Sequence, residues 1–154
     1  DRKSSTKVDL FNGKVVDQYH PYVRPQENGN KTDVRWAVLS NKEGNGLMVI
    51  GDSLSINASH FRLWDWDNGN VGSANASSTG NIRTTKQQWH TDDMKPGDFV
   101  NLHIDYKQMG VGGRNSWGAQ PLDKHQLPAK SYSFDFTPRP INSETNLVES
   151  AKHR

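Results

Sequence analysis

The sequence predicts an all-β protein built as an antiparallel β-sandwich, and three observations lead to that fold class. Apolar residues recur with a period of two in several short segments, which is the pattern of strands with one buried face. Turns rich in glycine, asparagine and proline separate these segments. Helical patterns are confined to residues 84–90 and 144–154. Many short strands joined by frequent turns are typical of a sandwich.

Five segments carry the strand pattern. They are DVRWAVLS at 33–40, GLMVIGD at 46–52, HFRLWDW at 60–66, DFVNLHIDYK at 98–107 and SYSFDFT at 131–137. The second is a continuous apolar run between glycines, which predicts a strand buried on both faces. The last places Tyr132, Phe134 and Phe136 on one face, opposite serines and an aspartate. Turns are predicted at 28–30, 41–46, 95–98 and 127–130.

Two other regions are predicted to lie outside the sheet. Residues 67–81 are rich in asparagine, glycine and serine and predict a long surface loop. Residues 141–154 are polar and predict a C-terminal tail or linker that ends in a short, frayed helix. The sequence therefore predicts one β-sandwich domain over residues 1–140, followed by that tail.

Composition excludes several classes of function. The net charge of +2 without a basic cluster argues against nucleic acid, and no apolar run reaches the ~20 residues of a membrane helix. There is no cysteine, so disulfides and thiolate metal sites are impossible. No signal peptide opens the chain, which leaves cytoplasm and periplasm open, and the first residues, DRKSSTK, read as the interior of a longer polypeptide.

The stretch MGVGGRNSWG at 109–118 is the most unusual motif. It is not a phosphate-binding loop, because the lysine of a Walker motif is missing and the residues that follow do not have a helical pattern. Its glycines allow either a tight turn or a loop shaped to meet a ligand. The residues alone leave both readings open.

Other groups of residues give weaker indications of function. The six histidines show no metal-ligand spacing, and the scattered carboxylates nominate no acid–base pair. The segment DWDNGN at 65–70 begins like a calcium loop, but Asn70 stands where glycine is required and Ala76 where glutamate is required. No metal site is predicted in this chain.

Two segments carry a specific resemblance. The order P-Y-V-x-P-x-E-N-G at 21–29 and M-G-V-G-G-x-x-S-W at 109–117 resembles the C-terminal small-chain domain of the family 2 glycoside hydrolase β-galactosidases. Residues 89–94 and 127–140 are similar to other parts of the same domain. The resemblance covers most of residues 1–140, but only the later part of the family's domain.

The resemblance implies a supersandwich similar to galactose-mutarotase-like folds, which closes over the mouth of a TIM barrel on an upstream domain or a separate large subunit. The two catalytic glutamates belong to that barrel, so this chain is expected to hold no catalytic residue and to be inactive alone. Its expected contribution is Trp117, which stacks on the galactoside. The residues expected to position that loop are Met109, Gly110, Gly112, Gly113, Arg114, Asn115 and Ser116.

One departure from the family matters. Arg114 and Asn115 stand where the family commonly has two aspartates, which puts anchoring of the loop by acids in doubt. The resemblance also implies an oligomeric parent enzyme, no cofactor in this chain, and binding elsewhere of any magnesium or sodium that the parent needs. Two alternatives to the β-galactosidase reading stay open. One is a carbohydrate-binding module of a glycosidase with another specificity, and the other is a structural β-sandwich.

Overall fold

The computed structural model describes residues 9–21, 28–62, 65–66, 91–110, 115 and 118–153. These residues form four strands, one α-helix and three short 3-10 turns. The strands are β1 (Lys31–Ser40), β2 (Gly46–Ser59), β3 (Asn101–Asp105) and β4 (Phe136–Ile141), the helix is α1 (Leu147–Lys152), and the turns are Val15–Gln18, Thr91–Asp93 and Asp123–His125. Within this described part, no helix is long and apolar enough to cross a membrane. The loop predicted at 67–81 and the helical pattern at 84–90 lie outside the described residues.

In the described part of the chain, one sheet contains all four strands, and each of the other three strands pairs with β2. The strand order is β1–β2–β3, and β4 also pairs with β2. Both β1 and β4 run antiparallel to β2. The prediction of an all-β, antiparallel sandwich-type fold is therefore confirmed, with helices limited to short segments.

The hairpin between β1 and β2 follows the predicted turn at 41–46. The Asn41 side chain accepts hydrogen bonds from the backbone N–H groups of Glu43 (3.1 Å) and Asn45 (2.9 Å). Gly44 takes a φ of 83°, a left-handed conformation that favours glycine. The register of the two strands then runs from Ser40 opposite Gly46. Asparagine and glycine at these places are thus enough to reverse the chain.

The centre of β2 is buried on both faces, as the apolar run predicted. Met48, Val49 and Ile50 are consecutive and at most 3% exposed. Consecutive residues of a strand point to opposite faces, so burial of all three requires cover on both sides. Leu54 and Ile56 extend this core along the strand.

The first half of β1 is irregular where it faces β2. The pairing register shifts between Lys31 and Val34 and again between Val34 and Trp36. Asp33 and Ser53 both have a φ of 57°, and the Ser53 hydroxyl donates a 2.8 Å hydrogen bond to the Asp33 carboxylate. Two non-glycine residues in the left-handed region bend the strands here, in the manner of a β-bulge.

The described residues divide into two compact units. The first comprises the described residues within 1–30 and 57–103, and the second those within 31–56 and 104–154. The core of the first unit is the closed cluster, which we define as Tyr19, Phe61, Trp66 and Met94. Its ring centroids are 4.8–5.8 Å apart and its rings are tilted by 42–58°. Tilted contacts at this spacing are a favourable arrangement of aromatic rings.

The strand predicted at 60–66 is wrong for the described residues of that segment, 60–62 and 65–66, which lie outside the strands. β2 ends at Ser59, and the chain turns at Arg62, whose N–H donates to the Asp65 carboxylate at 2.7 Å. The Asp65 N–H in turn donates to the Arg62 carbonyl at 2.9 Å. Phe61 and Trp66 reach the closed cluster from the two sides of this turn. The described aromatic residues of this segment, Phe61 and Trp66, therefore pack on a core from a turn and not from a strand.

The C-terminal residues form a strand and a helix. β4 begins at Phe136, so residues 131–135 of the predicted strand lie outside it. The Arg139 guanidinium donates to the Ser150 carbonyl of α1 at 3.3 Å. The helix begins after Asn146, whose side chain accepts from the Glu149 N–H as an N-cap. The short terminal helix is confirmed, while the division of the chain at residue 140 remains a prediction.

Candidate functional site

The first motif, residues 21–29, ends in an asparagine and a glycine with clear structural roles. The Asn28 side chain accepts a hydrogen bond from the His20 N–H (3.3 Å) and donates one to the His20 carbonyl (2.8 Å). Gly29 takes a φ of 81°, and a Cβ atom there would lie 2.8 Å from the Gln18 carbonyl oxygen. The buried side chain of Asn57, on β2, donates to the Asn28 carbonyl at 2.6 Å. Asn28 and Gly29 therefore hold the end of this motif against residues 18–20 and against Asn57 of β2.

The second motif begins just after β3. On β3, the amide nitrogen of Asn101 lies 2.8 Å from His103 Nε2 and donates to the Phe61 carbonyl at 3.3 Å. Since that amide nitrogen is a donor, Nε2 acts as the acceptor and the ring proton sits on Nδ1. The hydrogen bond ties His103 to its neighbour on the polar face of the strand and gives it a structural role.

The chain leaves β3 through Tyr106 and reaches Gly110. The Gly110 N–H donates a 2.7 Å hydrogen bond to the His125 carbonyl. A Cβ atom at position 110 would lie 2.8 Å from His125 Cβ, which is closer than real side chains approach. Gly110 is thus required by the close approach of two backbone segments. Met109, next to it, is 48% exposed.

The return arm of the loop, residues 118–126, is held by its own hydrogen bonds. The Gln126 side chain donates to the Pro121 carbonyl at 2.6 Å, and the His125 N–H donates to the Leu122 carbonyl at 2.7 Å. These bonds close the 3-10 turn Asp123–His125, which is the segment that receives Gly110. The two ends of the glycine-rich loop are therefore joined at a fixed point.

Gly118 is a loop residue that sequence reasoning missed. Its φ is 91°, and a Cβ atom there would meet nothing within 4 Å. Glycine is needed at position 118 because the backbone has a positive φ there. At position 110 it is needed because a side chain would collide with His125. The glycine directly after the tryptophan was the signal that could have identified it. The exposed Asn115 side chain accepts a long 3.4 Å hydrogen bond from the Ala119 N–H, on the same arm.

The structure describes only part of the predicted site. It places Met109, Gly110 and Asn115 between β3 and the turn Asp123–His125. The remaining predicted residues lie outside the described residues, namely Gly112, Gly113, Arg114, Ser116 and Trp117. Their roles stay predictions.

Within the residues that the structure describes, no group of three or more histidine, aspartate or glutamate side chains is arranged to hold a metal ion. A cavity of about 90 Å³ lies in the first unit, with mostly apolar residues around Tyr19 and Phe61 as its walls. That volume is far below the roughly 300 Å³ of the smallest usual ligand pockets. The cavity is therefore a packing feature of the closed cluster.

Comparison with known proteins identifies the family. The sequence model described as "Beta galactosidase small chain" matches residues 1–137. The chain belongs to the β-galactosidase small chain family. Both motifs examined above lie within the matched residues, so the loop after β3 is a feature of a small-chain region.

Named relatives agree with this assignment. A β-galactosidase of Priestia megaterium is 37% identical over 146 residues, which is 92% of this chain and 12% of that protein. A β-galactosidase of Pseudoalteromonas haloplanktis is 26% identical over 89% of this chain, and β-galactosidase BgaC of Bifidobacterium adolescentis is 30% identical over 80%. The small-chain region described here thus spans about a tenth of the length of these relatives, which are 10–12% covered.

Proposed function

We propose that this chain is the small-chain region of a β-galactosidase and that it contributes Trp117 to the substrate site of a TIM-barrel catalytic domain. The reaction would be the retaining hydrolysis of terminal β-D-galactosides. The observation that carries the proposal is the family match over residues 1–137, together with relatives named β-galactosidase. The two catalytic glutamates would lie in the barrel, on an upstream domain or a separate large subunit.

The chemistry of the loop supports a binding role for Trp117. A pyranose presents a face of C–H groups that packs on an indole ring, while its hydroxyl groups seek polar partners at the rim. The ends of the loop are fixed, because Gly110 donates to the His125 carbonyl and the return arm is closed by Gln126. A fixed base lowers the entropy lost when the loop meets substrate.

The polar residues of the loop would adapt it to its partner. Arg114 and Asn115 replace two acids that are common in the family, a change of three charge units at one place. Asn115 bonds to the Ala119 N–H within its own loop, so an amide serves here as a loop-stabilising acceptor. Arg114 would then be available to an acidic group of the barrel or to a substrate hydroxyl.

The partners follow from the same proposal. The chain would act with a galactoside substrate and a catalytic domain, in a parent that is an oligomer. Magnesium or sodium, where the parent needs it, would be bound outside this chain. Alone, the chain would neither hydrolyse galactosides nor bind them measurably, because one ring supplies only part of the pocket.

The test is to replace Trp117 in the full enzyme, in which the catalytic domain is present on the same chain or on a separate large subunit. Trp117→Ala should lower kcat/KM for lactose and for aryl β-galactosides about tenfold or more, since it removes a stacking surface from substrate and transition state. Trp117→Phe, which keeps a ring, is the matched control and should retain much of the activity. Unchanged kinetics for both variants on both substrates would exclude the role.

Calorimetry on the isolated chain separates the main alternative. A carbohydrate-binding module would bind galactose or lactose by itself, and the binding would be lost in Trp117→Ala. The β-galactosidase proposal expects no measurable heat from the isolated chain. It also expects hydrolysis of β-galactosides by the full enzyme.

A further inference from the structure

Asparagine is followed directly by glycine at several places in the chain, and the structure gives these pairs very different settings. The described pairs are Asn12–Gly13, Asn28–Gly29 and Asn45–Gly46. A further pair, Asn68–Gly69, lies outside the described residues. An Asn-Gly pair can modify itself, because glycine has no side chain to hinder attack of its backbone nitrogen on the asparagine side chain.

The reaction is deamidation, and its atoms balance with water as the only co-reactant. The deprotonated backbone nitrogen of the glycine attacks Cγ of the asparagine, a C–N bond forms, and the side-chain nitrogen leaves as ammonia. Water then opens the resulting succinimide ring at either of its two carbonyls, which gives aspartate or isoaspartate. Both products carry a carboxylate in place of a neutral amide. Because the asparagine must rotate its backbone and side chain to react, hydrogen bonds that hold either of them slow the reaction.

The Asn28–Gly29 pair is held through both the side chain and the backbone. The Asn28 side chain accepts from the His20 N–H at 3.3 Å and donates to the His20 carbonyl at 2.8 Å. The Asn28 carbonyl accepts a 2.6 Å hydrogen bond from the buried Asn57 side chain. Rotation of Asn28 toward the reactive geometry would break these bonds, so the folded chain protects this pair.

The Asn45–Gly46 pair is held through its backbone. The Asn45 N–H donates to the Asn41 side chain, and the Asn45 carbonyl accepts from the Asn41 N–H, both at 2.9 Å. Gly46 begins β2, where it lies opposite Ser40 of β1 and Ile141 of β4. The attacking nitrogen therefore belongs to a strand with a partner on each side, and it reacts only after the end of that strand opens.

The Asn12–Gly13 pair has none of these restraints. Both residues are exposed, and they lie outside the helices and strands, just before the 3-10 turn Val15–Gln18. Neither the Asn12 side chain nor the Gly13 N–H has a hydrogen-bond partner among the described residues. The neighbouring side chains of Leu10 and Phe11 are 66% and 73% exposed, so this segment is surrounded by water.

We propose that Asn12 is a site of spontaneous deamidation, and that the fold keeps Asn28 and Asn45 from the same reaction. The proposal goes beyond the proposed function and does not depend on it, because the reaction requires no catalytic domain. Modification would place a carboxylate next to the exposed apolar side chains of Leu10 and Phe11. Isoaspartate would in addition lengthen the backbone by a methylene group. The product would differ from the original chain in both charge and backbone at this surface segment.

The test is to incubate the full enzyme under native conditions at mildly alkaline pH, where the backbone nitrogen is more readily deprotonated. Peptide mass mapping then follows each asparagine with time. Asn12 should convert about tenfold faster or more than Asn28 and Asn45, because those two react only after local opening. A rate at Asn12 that is no higher than the other two would overturn the proposal.

The same measurement on the unfolded enzyme separates the effect of the fold from that of the sequence. In guanidinium chloride the three rates should agree to within about twofold, because each asparagine is followed by glycine and the native contacts are lost. If Asn12 kept its full advantage in the unfolded enzyme, local sequence and not the structure would set the rates. That result would also overturn the proposal.

A pair of variants tests the chemistry at this site. Gly13→Ala should slow the conversion of Asn12 in the folded enzyme about fivefold or more, because a methyl group hinders the attack. The added Cβ would lie 3.3 Å from Gln18 Nε2, the end of a flexible side chain that can shift, so the variant should fold. Lys14→Ala leaves the Asn-Gly pair intact and is the matched control, with an unchanged rate. Equal rates in the two variants would contradict attack by the Gly13 nitrogen and overturn the proposal.

Discussion

Two groups of aromatic rings in this chain have similar spacing and very different burial. In the closed cluster, ring centroids are 4.8–5.8 Å apart, and Phe61 and Trp66 are at most 9% exposed. In a second group, the open group, which we define as Tyr106, Tyr132, Phe134 and Phe136, neighbouring centroids are 5.6–5.8 Å apart, and Tyr132 is 44% exposed. Ring-to-ring contact therefore does not by itself make a core. Burial requires a further element on the other side of the rings, such as Met94 in the closed cluster.

The largest effect is expected at the centre of the closed cluster. Phe61→Ala should lower the free energy of unfolding of the chain by about 3–5 kcal/mol, because it removes a buried ring and leaves a cavity. Urea denaturation followed by fluorescence measures the change. Phe61→Leu is the control and should cost less than half as much. A loss below about 1 kcal/mol for Phe61→Ala would show that the two groups of rings do not differ.

The second prediction concerns a ring in the middle of the open group. Phe134 is half-buried against Tyr106 and Phe136. In the isolated chain, Phe134→Ala should cost about 1–2 kcal/mol, roughly in proportion to the area that is buried. This loss should stay below that of Phe61→Ala, because Phe134 is only half-buried whereas Phe61 is 4% exposed. Equal losses for Phe134→Ala and Phe61→Ala would contradict the difference between the open group and the closed cluster.

The third prediction concerns a polar atom in the closed cluster. The Tyr19 hydroxyl is buried, and it has no hydrogen-bond partner among the groups that the structure describes. Tyr19→Phe removes that group and keeps the ring, so it should stabilise the chain by about 1 kcal/mol. Urea denaturation near neutral pH measures the gain. A destabilised variant would mean that the hydroxyl is satisfied in solution.

The same variant has a pH signature. Burial, and then the Asp92 carboxylate, raise the pKa of the Tyr19 phenol. Because the pKa of the phenol is raised in the folded state, its contribution to the free energy of unfolding is complete below the unfolded pKa of about 10. That contribution is lost as the pH rises through the folded pKa. Burial lowers the pKa of Lys31, which changes stability in the opposite direction in this range. The gain from Tyr19→Phe should therefore grow above pH 10, measured as a difference from the unmodified chain.

The smallest effect is expected at Lys107, whose ammonium lies 4.9 Å from the Tyr106 ring centroid. Lys107→Met keeps the aliphatic stem and removes the charge above Tyr106, so the isolated chain should lose about 0.5 kcal/mol. Lys124→Met is the control, since this exposed lysine has no ring contact within the described residues. Thermal denaturation at low and high salt measures both. Equal shifts in melting temperature for the two variants would show that the contact between Lys107 and the Tyr106 ring does not stabilise the chain.

Much of the fold follows from local sequence. The apolar run through Met48 predicted a strand buried on both faces, and the pattern at 144–154 predicted a terminal helix, because each depends on neighbouring residues along the chain. The strand predicted at 60–66 failed for the opposite reason. Phe61 and Trp66 pack against Tyr19 and Met94, which lie far away in the sequence.

Some features of the candidate site also follow from the sequence, and others follow only from the tertiary structure. The sequence by itself determined the family, through two motifs whose spacing is specific, and it pointed to a loop with glycines beside a tryptophan. Only the tertiary structure decided that Gly110 is required by the approach of His125 and that Gly118 is required by its positive φ. It also decided which aromatic rings are enclosed and which remain open. Sequence patterns record what each residue prefers, whereas close approach and burial depend on which distant residues come to lie beside it.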